Sequence, residues 1–347
     1  MQMLKILKNI YEHFGDDISR EIFKNRLMYS ISGDSRWILK NLIFVQSEYG
    51  KRFLETLEKG RACGEMVIFG AGERGKILYQ TTSKYPWKCF IDNYSHDKTL
   101  YGLTVMNTEE FLENYKGEYI FITPKKNKDM YDQLIKLKVS ENKIFNVGAV
   151  LDKLIESIYF GLEYLKPLEE GEIFLDVGGY DGMTSLYFNR WCKKNAFVYI
   201  FEPDKNNIKK CYDNLNDKFL NYEIIPKGVW SKTTKIRFDA EKNALSQISD
   251  LGQEEIFVTT IDEELSGNKV TFIKMDIEGA EFEALMGAKE TIKKNKPKLA
   301  ISIYHKPEDI WEIPNLILRY NPNYRLYLRH YSLSDYDTVL YALPIEV

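Results

Sequence analysis

The sequence predicts an α/β protein built on a mainly parallel sheet that an antiparallel hairpin closes, preceded by a smaller α/β layer and a helical prefix. Three observations carry that expectation: two runs of short apolar strands alternating with helical stretches, a glycine-rich turn after the first strand of each run, and two late strands joined by a turn instead of a helix. At roughly 150 residues per domain, the 347 residues suggest two domains.

Composition narrows the function classes. Hydrophobic residues make up 44% and charged residues 29%, enough apolar surface for a sizeable core. Forty-eight Lys plus Arg against 51 Asp plus Glu leave a net charge of −3, which lacks the basic excess of a phosphate-tracking nucleic-acid binder. The longest apolar run, Ala196 to Phe201, is far short of the ~20 residues of a membrane span. The start, Met1-Gln-Met-Leu-Lys-Ile-Leu-Lys, alternates charge with apolar residues and shows no cleavable apolar segment. Cys63, Cys89, Cys192 and Cys211 have no paired close spacing, so neither a zinc knuckle nor a redox dithiol is signalled, and a cytoplasmic location is expected.

In chain order, residues 1–62 form the helical prefix. Leu4, Ile6, Leu7, Ile10 and Tyr11 recur at helical spacing, Asp16 and Asp17 cap a second segment, and Gly33-Asp34-Ser35 punctuates before a third. Residues 63–148 form the smaller layer, with strands at Met66–Phe69, Cys89–Ile91 and Tyr119–Ile122. Residues 149–347 form the larger one, entered by an amphipathic helix from Ala149 to Leu165 that stops at Pro167. Its strands are expected at Ile173–Val177, Val198–Phe201, Glu223–Ile225, Val270–Met275 and Leu299–Tyr304, with helices around 184–194, 207–214, 280–294 and 309–320. Tyr324–Arg329 and Thr338–Leu343, separated by Ser332-Leu333-Ser334-Asp335, read as the closing hairpin.

The second glycine loop carries the chemistry. Ile173-Phe-Leu-Asp-Val-Gly-Gly-Tyr-Asp-Gly182 is a strand ending in an acid, then glycines that admit a ligand against the main chain, then a helix N-terminus. The Asp176 carboxylate would repel a pyrophosphate yet suits a cationic amino-acid end, which favours S-adenosylmethionine over a dinucleotide. The next strand ends in Glu202-Pro203-Asp204, where an acid can accept hydrogen bonds from both ribose hydroxyls. Lys274, Asp276 and Glu278 then gather at the carboxyl end of a central strand, where ligand crevices of open α/β sheets lie.

These segments resemble the FkbM-type S-adenosylmethionine-dependent methyltransferases. The resemblance rests on Asp176-Val-Gly-Gly-Tyr-Asp-Gly182, Phe201-Glu-Pro203, Val258-Thr-Thr-Ile-Asp262, Ile273-Lys-Met-Asp-Ile-Glu-Gly-Ala-Glu281, Ile301-Ser-Ile-Tyr-His305-Lys-Pro and Asp337-Thr-Val-Leu-Tyr341, over about residues 150 to 347. The commoner first motif has Ala-Asn-Ile where this chain has Gly179-Tyr180-Asp181, so the chain is similar to a subgroup with a tyrosine–aspartate loop. The resemblance implies a class I methyltransferase Rossmann-like sheet with its antiparallel closing hairpin. It also implies a cofactor site of Asp176, Gly178, Gly179, Asp181, Gly182, Glu202 and Pro203, with Asp276 beside the methyl group.

Methyl transfer is an in-line displacement, so the protein must hold an oxygen nucleophile in line and, for an alcohol, remove its proton. His305, which follows an apolar strand at the same edge as Asp276, is the candidate base, with Asp276 as its orienting partner and Lys274 offsetting developing charge. Metal dependence is left open: Asp276 and Glu278 are not by themselves a tight ligand cluster.

The first loop, Val67-Ile-Phe-Gly70-Ala-Gly72-Glu-Arg-Gly75, is a G-x-G-x-x-G pattern after a strand and before a helix, with Asp92 ending the next strand. Phe90-Ile-Asp92-Asn93 followed by Gly102-Leu-Thr-Val resembles the small nucleotide-binding domain at the front of nucleotide-sugar acetyltransferases. A smaller Rossmann-like domain binding a nucleotide or nucleotide-linked sugar is therefore expected, with Gly70, Gly72 and Gly75 at phosphate, Asp92 on the ribose, and Lys125 and Lys126 as further phosphate partners. The combined expectation is an O-methyltransferase acting on a hydroxyl of a sugar, nucleotide-linked sugar or glycan precursor, with no nucleic-acid partner, and with room for a homo-oligomer. On the residues alone, an NAD-dependent oxidoreductase using the first loop and a non-catalytic nucleotide-sugar-binding protein remain open. Asn321-Pro-Asn-Tyr324 reads as a turn.

Overall fold

A computed structural model of the chain describes residues 2–41, 48–125, 127–193, 195–216, 218, 221–239, 247–248 and 254–345. They divide into two compact units, one of residues 1–23, 157–329 and 337–347, the other of residues 24–156 and 330–336. Among the described residues, no helix is long and apolar enough to cross a membrane.

The N-terminal helices are α1 (Gln2–His13), α2 (Asp17–Ser32), α3 (Arg36–Leu39) and α4 (Glu48–Cys63). Asp16 Oδ1 accepts the Ser19 amide at 2.7 Å where α2 begins, and Gly33, at φ +64°, takes the left-handed turn after its end.

The smaller unit follows as β1 (Met66–Phe69), α5 (Glu73–Thr81), β2 (Trp87–Ile91), β3 (Thr99–Leu100), β4 (Leu103–Met106), α6 (Thr108–Glu113), β5 (Tyr119–Ile122), α7 (Lys128–Lys136), β6 (Ile144–Asn146) and α8 (Val147–Ser157). They form a six-stranded sheet in the order β3-β4-β2-β1-β5-β6, with β3 antiparallel to β4 and the remaining pairs parallel. Two of its parallel strands, β4 and β6, go beyond the three expected. Both are short, and β4 is only partly buried, so neither presents the continuous apolar run that marks a central parallel strand. One face is a core of Val67, Phe69, Cys89, Ile91, Ile120 and Ile122 with Phe111 and Leu134; Phe53 of α4 packs against Phe121 and Phe145. Helix α8 ends at Ser157, earlier than the predicted Leu165, because Tyr159 adopts φ +71° and the Phe160 and Gly161 amides turn back onto the Ser157 carbonyl.

The larger unit runs β7 (Glu172–Val177), α9 (Met183–Cys192), β8 (Ala196–Phe201), α10 (Lys205–Leu215), β9 (Asn221–Ile225), β10 (Gly228–Val229), β11 (Thr234–Asp239), β12 (Gln247–Ile248), β13 (Glu254–Thr259), α11 (Ile261–Glu264) and β14 (Phe272–Met275). It ends with α12 (Glu281–Met286), α13 (Lys289–Asn295), β15 (Lys298–Ser302), α14 (Asp309–Tyr320), β16 (Tyr324–His330) and β17 (Thr338–Pro344). Its seven-stranded sheet has the order β16-β17-β15-β14-β7-β8-β9. The pairs from β15 through β14, β7 and β8 to β9 are parallel, and β17 is antiparallel to β15. The strand order reverses between β7 and β14, the place where ligand crevices of open α/β sheets lie.

Apolar residues on β7 and β14 face a cluster in which Phe174 stacks on Phe188 at 4.2 Å and Phe160, Trp191 and Phe272 close around them. The fully buried Phe174, Phe188 and Phe272 side chains each contribute about 1.5–3 kcal/mol. A second, four-stranded sheet, β10-β13-β11-β12, is inserted before β14; the sequence reading assigned it no strands. The single helix expected over 280–294 is two: at Gly287 the chain presses on the Trp230 carbonyl so closely that a Cβ would lie 2.1 Å from that oxygen.

Candidate active site

The glycine loop between β7 and α9 lies on the backbone of its neighbour strand. Gly178 has φ +87°, and a Cβ there would sit 2.1 Å from the Asp276 carbonyl oxygen, so only glycine permits this approach. The Gly178 and Gly179 amides both donate to the Phe201 carbonyl, at 3.0 and 3.2 Å. The Tyr180 amide donates to Glu202 Oε2 at 2.8 Å, and the Asp204 amide to Glu202 Oε1 at 2.9 Å. Glu202 therefore ties the loop after β7 to the end of β8, with Pro203 following half-buried. Burial raises the Glu202 carboxyl above the ordinary range, against the pull of those amides. Asp181 Oδ1 accepts the Met183 amide at 3.0 Å, and Gly182, at φ +79°, opens α9.

Two predicted site residues are placed differently from expectation. Asp176 is fully buried, with Oδ2 accepting the Ser185 hydroxyl at 2.7 Å and Oδ1 facing Lys274 Nζ at 3.0 Å, so it does not present a free carboxylate to an ammonium group. Lys274, also buried, donates to the Gly178 carbonyl at 2.7 Å and lies over the Tyr159 ring at 5.4 Å. Burial opposes its charge, but Asp176 and then Asp276 outweigh that and raise its pKa. Lys274 thus braces the glycine loop instead of offsetting charge at the methyl group. The cause is strand register: Lys274 is paired directly with Asp176 across β14 and β7.

At the end of β14, Asp276 Oδ2 accepts the Tyr159 hydroxyl at 2.8 Å and Oδ1 accepts the Tyr304 hydroxyl at 3.2 Å. Burial works to raise the Asp276 carboxyl, but Lys274 and His305 hold it below the ordinary range. His305, 9% exposed at its side chain, lies among three acids: Nε2 is 3.7 Å from Asp276 Oδ1 and 3.4 Å from Glu278 Oε2, and Nδ1 is 3.1 Å from Glu281 Oε1. Burial disfavours the imidazolium, yet Glu278, Glu281 and Asp276 overcome it and push the ring up to about 10. The surrounding carboxylates therefore favour the protonated ring over the neutral form that a general base needs. The Glu278 backbone is left-handed, at φ +55°. Burial and the nearby Glu281 raise Asp309 to about 7.

Tyr159, Glu281, Ser302, Tyr304 and Asp309 were not assigned roles from sequence. Glu281 and Tyr304 stand inside motifs already singled out, so their proximity to Asp276 and His305 was a usable signal. Tyr159 carried none, being 117 positions from its partner.

In the smaller unit, Gly70 has φ +115°, and Cβ atoms at Gly70 and Gly75 would strike Pro124 at 2.7 Å and the Gly70 carbonyl at 1.9 Å. Gly72 meets nothing within 4 Å. Asp92 Oδ2 accepts the Ala71 amide at 2.8 Å, and Oδ1 accepts those of Tyr94 and Ser95, so this carboxylate braces the loop it was expected to complement. Lys125 is exposed just beyond β5; Lys126 lies outside the described residues.

A seven-stranded sheet of this order, with a glycine loop after its first strand and strand-end acids at 202 and 276, has the Rossmann-like fold of class I methyltransferases. Residues 176–332 match the model of the methyltransferase FkbM domain. The crystal structure of methyltransferase FkbM from Methylobacillus flagellatus KT superposes with a TM-score of 0.52 at 20% identity, covering 94% of this chain and 99% of its own. Fibrillarin from Aeropyrum pernix, in complex with S-adenosyl-L-methionine, gives 0.37 at 13% identity over 58% of this chain and 81% of its own. A SAM dependent methyltransferase from Aquifex aeolicus gives 0.32 at 17% over 64% and 99%. No curated protein matches the chain. The cofactor of this domain is S-adenosylmethionine. The acids at this edge are Glu202, which takes the Tyr180 and Asp204 amides and a hydrogen bond from the Asn207 side chain, and the partly exposed Asp276, held below the ordinary carboxylate range.

Proposed function

We propose that the chain methylates a hydroxyl oxygen of a sugar, a nucleotide-linked sugar or a glycan precursor. The observation that carries this reading is the convergence at one sheet edge of the glycine loop, Glu202 and the Asp276–Tyr159–Tyr304–His305 group, all within one compact unit. S-adenosylmethionine supplies, when bound, a methyl group on a cationic sulfur. Glu202 and the loop amides orient the nucleoside end; Asp276, kept ionised and fixed by two tyrosine hydroxyls, receives the acceptor hydroxyl. One oxygen–carbon bond forms as one sulfur–carbon bond breaks, giving a methyl ether, S-adenosylhomocysteine and a proton. Such a displacement depends chiefly on alignment, which fixed side chains at a buried edge supply.

The glycine loop of the smaller unit supports a nucleotide part of the acceptor. Gly70 and Gly75 are demanded by the fold's own packing, whereas Gly72 faces open space at the start of a nine-residue helix, where a phosphate can approach the main chain. An oxidoreductase reading of this loop has no support in the family match, which falls on the larger unit.

The test is incubation of the purified chain with S-adenosylmethionine and a panel of nucleotide sugars and oligosaccharides, read by mass spectrometry for a gain of one methyl. A methylated hydroxyl is expected. Methylation of nitrogen or carbon acceptors alone, with every hydroxyl acceptor untouched, would overturn the oxygen assignment and leave the methyltransferase class standing.

A further inference from the structure

The acids around His305 exceed what methyl transfer requires. One ligand atom from each of Asp276, Glu281 and His305 lies within 4.8 Å of the others, the reach of donors around a single metal ion. Glu278 adds a carboxylate oxygen 3.4 Å from the same ring. Carboxylates gather on many surfaces, so the cluster alone would mean little. Its burial and its unmet valences are the second observation.

Glu281 is fully buried. Its Oε1 accepts the Ile277 amide at 2.8 Å, and its Oε2 has no hydrogen-bond partner among the described residues. His305 is nine-tenths buried at its side chain, and neither ring nitrogen makes an aligned hydrogen bond among the described residues, although acids lie 3.1 to 3.7 Å away. Buried polar atoms are nearly always paired, and an unpaired buried carboxylate oxygen costs more than a neutral one. Unsatisfied buried atoms on Glu281 and His305, within a cluster in which one ligand atom of each residue lies within 4.8 Å of the others, describe a place for a cation.

We propose that Asp276, Glu281 and His305 form a divalent-cation site, with Glu278 at its rim. The donor set, one imidazole and two or three carboxylates, suits manganese, iron(II) or zinc. It is poorer for calcium, which takes oxygens alone, and for copper(I), which takes sulfur. Three or four protein ligands leave positions open to a further oxygen. On the proposed methyl-transfer reading, on which this role rests, that oxygen is the acceptor hydroxyl: a divalent ion displaces the proton of the imidazole that binds it and lowers the pKa of an oxygen it holds.

The experiment uses the full chain stripped of metal with a chelator and titrated with Mn²⁺, the free ion being followed by electron paramagnetic resonance. Mg²⁺ and Zn²⁺ serve as competitors, and S-adenosylhomocysteine binding is measured on the same samples by calorimetry. The expected result is about one Mn²⁺ per chain, at least about tenfold weaker binding in Glu281→Gln and in His305→Gln, and S-adenosylhomocysteine affinity unchanged in Glu281→Gln. The wild-type titration keeps the proposal testable should either variant fail to fold. No Mn²⁺, Zn²⁺ or Mg²⁺ bound at millimolar concentration by wild-type chain that still binds S-adenosylhomocysteine overturns the site and leaves the methyltransferase reading intact. Equal Mn²⁺ affinity in wild type and both variants also overturns it. Mn²⁺ held by wild type and lost in the variants, by a chain that refuses S-adenosylhomocysteine, supports the site and overturns its role in methyl transfer.

Discussion

Lys274 stands between two aspartates on adjacent strands, and the register of β14 against β7 decides which one it pairs with. Removing one partner of a buried ion pair strands the other charge, at a cost of about 3–5 kcal/mol, whereas removing both leaves a smaller deficit. Lys274→Met is therefore expected to lower stability by about that amount and Asp176→Asn/Lys274→Met to recover part of it, as read from urea midpoints. A Lys274→Met variant as stable as wild type would show that Asp176 is not held as a buried carboxylate. Glu202 acts differently: Glu202→Gln keeps the shape but gives up one strong acceptor, so a fall in S-adenosylhomocysteine affinity of about tenfold is expected by calorimetry. The acids at 176, 202 and 276 and the imidazole at 305 were legible because each follows an apolar strand. What each one touches was not, since Tyr159 reaches Asp276 only after the chain has folded through most of the larger unit.

Among the elements, the parallel strands of the larger sheet, the three central ones of the smaller sheet and the closing hairpin were legible because buried strands read as continuous apolar runs, which β4 and β6 lack. The inserted sheet was not: β10 and β12 have two residues each, and β11 alternates lysine and arginine with apolar residues, a pattern a polar loop also shows. The break between α12 and α13 was hidden too, because it depends on the Trp230 carbonyl pressing on Gly287, a contact remote in sequence. The first glycine loop separates two causes of glycine in one turn. Gly72 has φ −73° and ψ −172°, open to alanine, and no atom in the way of a Cβ. Gly72→Ala is expected to leave thermal stability unchanged or raise it by about 0.4–1 kcal/mol, and to weaken any nucleotide held at that loop. Gly75→Ala, which drives a methyl into the Gly70 carbonyl, is expected to destabilise. Thermal melts of the two variants, with and without a nucleotide sugar, distinguish a ligand-facing glycine from a packing one. Loss of stability in Gly72→Ala without ligand would remove the argument for a phosphate there.

For the molecule as a whole, the balance of charges that argued against a nucleic-acid binder conceals an uneven interior, with acids concentrated around His305 and a different histidine, His330, held toward its neutral form. Burial, reinforced by the Arg26 guanidinium, pushes His330 down to about 3. Its unfolded-state value is about 6.5, so between those two pH values the unfolded chain binds a proton that the folded chain does not. Stability from this residue is complete above about pH 6.5 and is lost as the pH falls below it, at about 1.4 kcal/mol per unit, or about 2 kcal/mol by pH 5. A histidine held charged by carboxylates behaves oppositely and over another interval: its contribution is complete below about pH 6.5 and is lost as the pH rises toward its folded-state value. Urea unfolding at pH 7, 6 and 5 should therefore show a steeper loss for the wild type than for His330→Gln, whatever the absolute stability of the variant. Parallel slopes for the two proteins would mean that His330 already carries its proton in the folded state.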